Sequence, residues 1–108
     1  MSRGDVVIVA APGDYGKPRP AVIVQSNAIP DSHVSVVICP MTSELTQADF
    51  RITIEPGPGT GLGVRSQVMA DKPVTVRRQR VARRVGQLTA ADMALLNAAL
   101  ALAVGLAD

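Results

Sequence analysis

Two prolines bracket one arginine at the mouth of a β-branched run in Lys17-Pro18-Arg19-Pro20-Ala21-Val22-Ile23-Val24. Each proline fixes its own φ and pushes the residue before it towards an extended conformation. Arg19 is therefore expected to stand stiffly at the start of a strand, displaying a permanently charged fork of N–H donors that matches a phosphate. The plainer reading of the same residue is a surface ion pair, which stabilises little. Charge elsewhere favours a polyanion. Nine of the eleven basic residues are arginine, and seven of the eleven fall between Arg65 and Arg84, where Asp71 is the single acid. One-sided local charge of this kind suits a nucleic acid, against the alternative of a solvated, arginine-rich strand and turn.

The rest of the inventory removes other chemistries. One cysteine and one histidine leave no disulfide within the chain and too few ligands for a zinc site. Cys39 lies inside Val36-Val37-Ile38-Cys39 and reads as a small core residue. His33 sits in a turn, and a single histidine excludes a paired-histidine mechanism. The densest loop signal, Glu55-Pro56-Gly57-Pro58-Gly59-Thr60-Gly61-Leu62-Gly63, lacks the Gly-Lys-Ser/Thr ending of a nucleotide-binding loop and is expected to be a mobile surface loop. No cofactor is expected. Nothing at the N-terminus resembles a secretion signal, which makes Arg3-Gly4-Asp5 an improbable adhesion tripeptide. No apolar stretch reaches membrane-spanning length, so a cytoplasmic protein with no membrane partner is expected.

These residues need elements to position them. At 108 residues the chain is expected to form one domain, 1–108. Hydrophobic content is 47% with only 2% aromatics, so the core must be built from aliphatic side chains. Strands are expected over residues 6–10, 21–25, 34–39, 51–55, 66–70, 74–76 and 84–88, with Pro40 ending the third and a charged turn over 77–80. Thr89-Ala90-Ala91-Asp92 is a helix-capping signature, and an alanine- and leucine-rich helix should run to about residue 104 with Gly105 as its stop. Met93, Leu96, Leu100 and Ala103 share one face; Leu95, Ala99 and Leu102 form a second apolar stripe. A helix apolar over so much of its girth should bury more than one side, and a second subunit is the expected cover for the other.

Arg3-Gly4-Asp5, Lys17-Pro18-Arg19-Pro20-Ala21-Val22-Ile23-Val24, Pro40-Met41-Thr42-Ser43 and the segment from Ser66 to Pro73 form an ordered set. Together with Gly86-Gln87-Leu88-Thr89 and the closing helix, that set resembles the MazF/PemK (Kid) family of bacterial toxin endoribonucleases over nearly the whole chain. The resemblance implies a mainly β fold with a C-terminal helix, a small, strongly twisted antiparallel barrel of the SH3-like, CcdB–MazF type that works as a homodimer. It implies metal-independent cleavage of single-stranded RNA to 2′,3′-cyclic phosphate and 5′-hydroxyl ends. It also implies a cognate antitoxin whose disordered tail fills the RNA groove.

By the same resemblance, Arg19 binds the scissile phosphate, Thr42 donates its hydroxyl to a phosphate oxygen, and Asp71 takes the place of a proposed general base. Chemically, 2′-oxygen attack needs a base, a donor for the leaving oxygen and positive charge on the phosphorane. Tyr15, Lys17, Ser43, Lys72 and Arg77 are the expected RNA contacts, with Tyr15 the candidate for base stacking ahead of Phe50. The chain departs from the family pattern at Asp14-Tyr15-Gly16, where some members carry His or Glu. It departs again at Met69, where PemK/Kid-type members place an arginine two residues before the aspartate, and at Lys72, where glutamine is common. Two other readings compete. A gyrase-poisoning toxin of the CcdB type shares the fold but ends in a tryptophan-bearing tail, and this chain has no Trp and ends Leu106-Ala107-Asp108. A non-catalytic barrel that binds RNA or protein would tolerate the missing arginine at position 69.

Overall fold

β-Branched runs form the sheet. The computed structural model describes residues 1–10, 17–106 and 108. In order, the elements are β1 (Asp5–Val9), β2 (Arg19–Ile23), β3 (Ser35–Thr42), β4 (Arg51–Ile54), β5 (Ser66–Met69), β6 (Val74–Arg77), a 3-10 turn (Arg78–Arg80), β7 (Val81–Gln87) and α1 (Ala90–Ala103). The strands follow the order β4-β5-β3-β2-β1-β7, with β6 also paired to β3, and every pairing is antiparallel.

β3 is the spine. Along one edge it pairs with β2, Ala21 opposite Pro40 and Ile23 opposite Ile38. Along the other it changes partner: Ser35 to Ile38 face β6, and Met41 and Thr42 face β5. Pro40 therefore does not end the strand as its sequence suggests. It lies in the gap where the second ladder passes from β6 to β5, and a missing N–H costs least where a ladder is interrupted.

Alternation along the strands divides the core in two. On one face Val6, Val22, Cys39, Met41, Ile52, Ile54 and Val68 pack with Leu88, Leu96 and Ala99. On the opposite face Val7, Val9, Ala21, Ile23, Val36, Ile38 and Val76 form a smaller cluster. Burial pushes the Cys39 thiol up to about 11, as befits a core residue. α1 is capped by the Thr89 hydroxyl, which accepts from the Asp92 N–H at 3.1 Å. It buries Leu96 and Ala99 and leaves Leu95 and Leu102 exposed. Ala99 thus joins the core-facing side rather than the outer stripe, and Ala103 is exposed.

The glycine-rich loop is held down rather than free. Gly57 and Leu62 bridge each other, and the Gln87 N–H of β7 donates to the Gly59 carbonyl at 3.0 Å. Gly86 permits this approach, because a Cβ there would collide with the backbone of Gly59 and Thr60. Through this loop the chain leaving β4 meets β7, at the opposite end of the strand order. Arg3-Gly4-Asp5 is also structural: Asp5 accepts from the Ser2 N–H at 2.9 Å and pairs with Arg84 at 3.1 Å.

Candidate functional site

The face that carries Val36 and Ile38 changes character further along β3. Thr42 continues it, and Gln67 stands opposite Thr42 on β5, with Thr53 opposite Gln67 on β4. Continuing the β2–β3 register by two residues beyond Ala21 and Pro40 sets Arg19 opposite Thr42, and β1–β2 pairing sets Val9 beside Arg19. Arg19, Thr42, Gln67 and Thr53 are thus one cross-strand row on one face. A strand spacing separates each from the next, so Thr42 and Thr53 lie roughly 10 Å apart. The continued register puts Arg19 and Thr42 at that level although they are 23 positions apart in the chain.

Local bonding fixes the row. The Thr42 hydroxyl accepts from the Glu44 N–H at 3.1 Å, which turns the chain out of the sheet and leaves the hydroxyl hydrogen to be donated. Buried Gln67 both accepts from the Thr46 N–H at 3.0 Å and donates to the Thr46 carbonyl at 2.8 Å. Its amide also donates to the Thr53 hydroxyl at 3.2 Å. Gln67 therefore clamps the segment after Thr42 against the sheet. Between that segment and the strands lies an open cavity of about 700 Å³, lined by Leu45, Thr46, Asp49, Arg51, Thr53 and Gln67 among others.

Asp71 follows β5 in the turn towards β6, and its carboxylate is engaged by Arg51: Nε donates to Oδ1 at 3.0 Å and Nη2 to Oδ2 at 3.4 Å. Partial burial works to raise the Asp71 pKa. The Arg51 hydrogen bond, its own backbone N–H and the charges of Arg51 and Lys72 outweigh that and hold the carboxyl below its ordinary range. A carboxylate so held is a weak base at neutral pH. The Arg51 guanidinium also lies 5.9 Å from the centre of the Phe50 ring.

The remaining expected contacts divide. Lys17 and Ser43 are exposed beside Arg19 and Thr42, and Lys72 is exposed beside Asp71. Arg77 is not brought to the row: it pairs with Ser35 at the opposite end of β3, and alternation sets Ser35 on the other face from Thr42. Its place in a locally basic stretch made it look close when the sheet carries it away. Tyr15 lies outside the described residues. Sequence reasoning missed Arg51, Thr53 and Gln67. The available signal was the polar–apolar alternation of Arg51-Ile52-Thr53-Ile54, which marks Arg51 and Thr53 as one outward face. Gln67, inside an apolar run, gave no such signal.

Known proteins are similar over the whole length. The sequence profile of the PemK-like, MazF-like toxins of type II toxin-antitoxin systems matches residues 2–104. A probable endoribonuclease MazF from Mycolicibacterium smegmatis is 44% identical, with 99% of each chain covered. A mycobacterial endoribonuclease solved in complex with its cognate antitoxin superposes with a TM-score of 0.84 at 26% identity, covering 98% of this chain and 96% of that one. MazF from a MazE–MazF complex of Deinococcus radiodurans gives a TM-score of 0.77 at 25% identity, covering 97% and 96%. With the family profile matched over residues 2–104 and a curated relative 44% identical along its whole length, the chain belongs to the PemK-like, MazF-like toxins of type II toxin-antitoxin systems.

Proposed function

We propose that this toxin is an endoribonuclease that cuts single-stranded RNA at a short sequence without a metal ion, leaving 2′,3′-cyclic phosphate and 5′-hydroxyl ends. What supports the reading is the β2–β3 register, which, continued by two residues from Ala21 opposite Pro40, brings Arg19 to the level and face of Thr42. A phosphate over that row would meet a guanidinium from β2 and a hydroxyl donor from β3. In the reaction the 2′-oxygen attacks phosphorus, its proton passes to a base, and the bond to the 5′-oxygen breaks as that oxygen gains a proton. Arg19 stabilises the charge that grows on the phosphorane oxygens, and Thr42 donates to one of them. Lys17, Ser43 and Lys72 extend the contact along the backbone, where every added cation strengthens binding in a salt-dependent way.

The mycobacterial and Deinococcus relatives were solved with antitoxins. That supports a cognate antitoxin for this chain, competing with RNA for the same face. A homodimer is supported by the outer stripe of α1, where Leu95 and Leu102 remain 57% and 48% exposed and Leu106 beyond the helix 80%. The test is digestion of a long single-stranded RNA in EDTA followed by mapping of fragment ends. Discrete fragments with cyclic phosphate termini are expected; intact RNA bound tightly would instead identify a non-catalytic binding barrel. Sedimentation of the same preparation is expected to give a dimer, and a stable monomer at micromolar concentration would remove α1 from the subunit contact.

A further inference from the structure

Arg51 has no role in the functional reading so far, yet its ion pair with Asp71 is well sheltered, with 14% of the arginine side chain exposed against 27% for Asp71. Its strand position explains why it is there. Arg51 is directly opposite Met69 in the β4–β5 ladder, on the same face as Thr53 and Gln67. Met69 stands two residues before Asp71, where the resemblance to PemK/Kid-type members leads one to expect an arginine. The neighbouring strand therefore presents a guanidinium at the level where β5 itself presents a thioether. Asp71, two residues beyond Met69, engages that guanidinium through both carboxylate oxygens.

Which member of the pair faces the cavity decides what the pair can bind. Among the described residues Arg51 lines the cavity of about 700 Å³ and Asp71 does not. Two of the five guanidinium N–H groups are used by Asp71, which leaves donors in the fork for an incoming anion. Asp49 shares the cavity wall, so a bare anion is poorly suited to it. A nucleotide, with a charged end at Arg51 and a donor-bearing base edge towards Asp49, fits better.

We propose that Arg51 supplies a second phosphate-directed charge to the RNA site from β4, and that Asp71 is the positioning residue that aims it. This rests on the ribonuclease reading above and deepens it. Arg51 takes a backbone phosphate further along the RNA strand than the one held by Arg19 and Thr42, because β4 lies two strand spacings, roughly 10 Å, from β3. Asp71 then acts through Arg51 and not as the base.

The experiment measures binding of a mixed-sequence, fully 2′-O-methylated single-stranded oligoribonucleotide across a salt series, together with cleavage of unmodified RNA. Arg51→Gln is expected to reduce the magnitude of the log K against log salt slope by about 0.7, the signature of one lost phosphate contact on a single strand. Its kcat/KM is expected to fall roughly a hundredfold. The double variant Arg51→Gln with Met69→Arg, which returns the guanidinium from the facing strand, is expected to regain the slope and at least tenfold in rate. Asp71→Asn is expected to keep the slope, lose about tenfold in rate and leave the pH profile of cleavage unmoved. An unchanged slope in folded Arg51→Gln overturns the role of Arg51 while leaving the ribonuclease intact. Should Arg51→Gln unfold, the double variant carries the test, and a folded double variant with neither slope nor cleavage overturns the proposal. A moved pH profile in Asp71→Asn overturns the positioning role. Wild-type protein that neither binds nor cuts RNA overturns both readings together.

Discussion

One face of the sheet holds two regions built from the same strands and opposite in character. Towards the start of β3, Val36 and Ile38 lie with Ala21, Ile23 and Val76 in a cluster that excludes water. Towards its end, Thr42 lies in a row with Arg19, Gln67 and Thr53, and Arg51 borders an open cavity. The backbone ladder runs through both regions without changing face. What changes is the partner strand, β6 for the apolar half and β5 for the polar half, with Pro40 between them. The comparison teaches a division of labour. Apolar burial in one half fixes the strands that the other half uses as rigid mounts for charged and hydroxyl groups, and sites mounted on strands are held more tightly than sites on loops.

Substitutions should separate the halves, and the largest effect belongs to the polar one. Arg19→Ala is expected to lower cleavage by on the order of a thousandfold or more, because it removes the principal charge on the phosphorane. Its thermal midpoint should stay within a few degrees, since Arg19 is exposed and the two prolines that shape the strand entry remain. Single-turnover cleavage beside a melting curve checks this, and unchanged activity would reject the site. Ile38→Ala is the counterpart. Ile38 is 1% exposed, and its truncation should cost about 3 kcal/mol and lower the midpoint by roughly 10–20 °C. Turnover per folded molecule should be nearly unchanged well below that midpoint. If Ile38→Ala instead lost turnover while stability held, the two halves would not be separable.

Thr42→Val comes next, with a loss of roughly a hundredfold in kcat, as for one transition-state donor. The same change also deprives the Glu44 N–H of its acceptor, so a small loss of stability should accompany it. Thr42→Ser retains the hydroxyl and should recover most of the rate, which a purely steric role for Thr42 would not allow.

Much of this was legible in the sequence because strand runs and the helix cap are local signals. Val6 to Val9, Ala21 to Ile23 and Val36 to Cys39 declare themselves by β-branching, and Thr89 by its spacing to Asp92. The misses share a physical cause: they depend on partners distant in the chain. Pro40 reads as a strand end until the gap between β5 and β6 is seen beside it. The glycine-rich loop reads as mobile until Gln87 is found bonded to Gly59. Arg77 belongs to a basic stretch in sequence, but the turn after Met69 and the course of β6 carry it to the far end of β3. Arg51 and Asp71 are 20 positions apart, and no local pattern couples them.

The smallest predicted effect concerns that pair and tests whether it belongs to stability or to chemistry. The folded-state pKa of Asp71 is depressed, so the pair's contribution is present above the ordinary carboxylate value of 3.8 and is lost as pH falls through the lower folded value. Wild type should therefore exceed Asp71→Asn in denaturant midpoint at pH 6 to 7, by a modest margin because the carboxylate is partly solvated. The two midpoints should converge as the medium is acidified below that range. Between pH 5 and 8 Asp71 stays ionised throughout, so any inflection in the cleavage rate there belongs to another group and should survive in Asp71→Asn. Parallel stability and rate measurements over pH 3 to 8 decide this. An inflection near neutrality that disappears with Asp71→Asn would show that RNA binding raises this carboxylate into the working range, and would return Asp71 from positioning Arg51 to proton transfer.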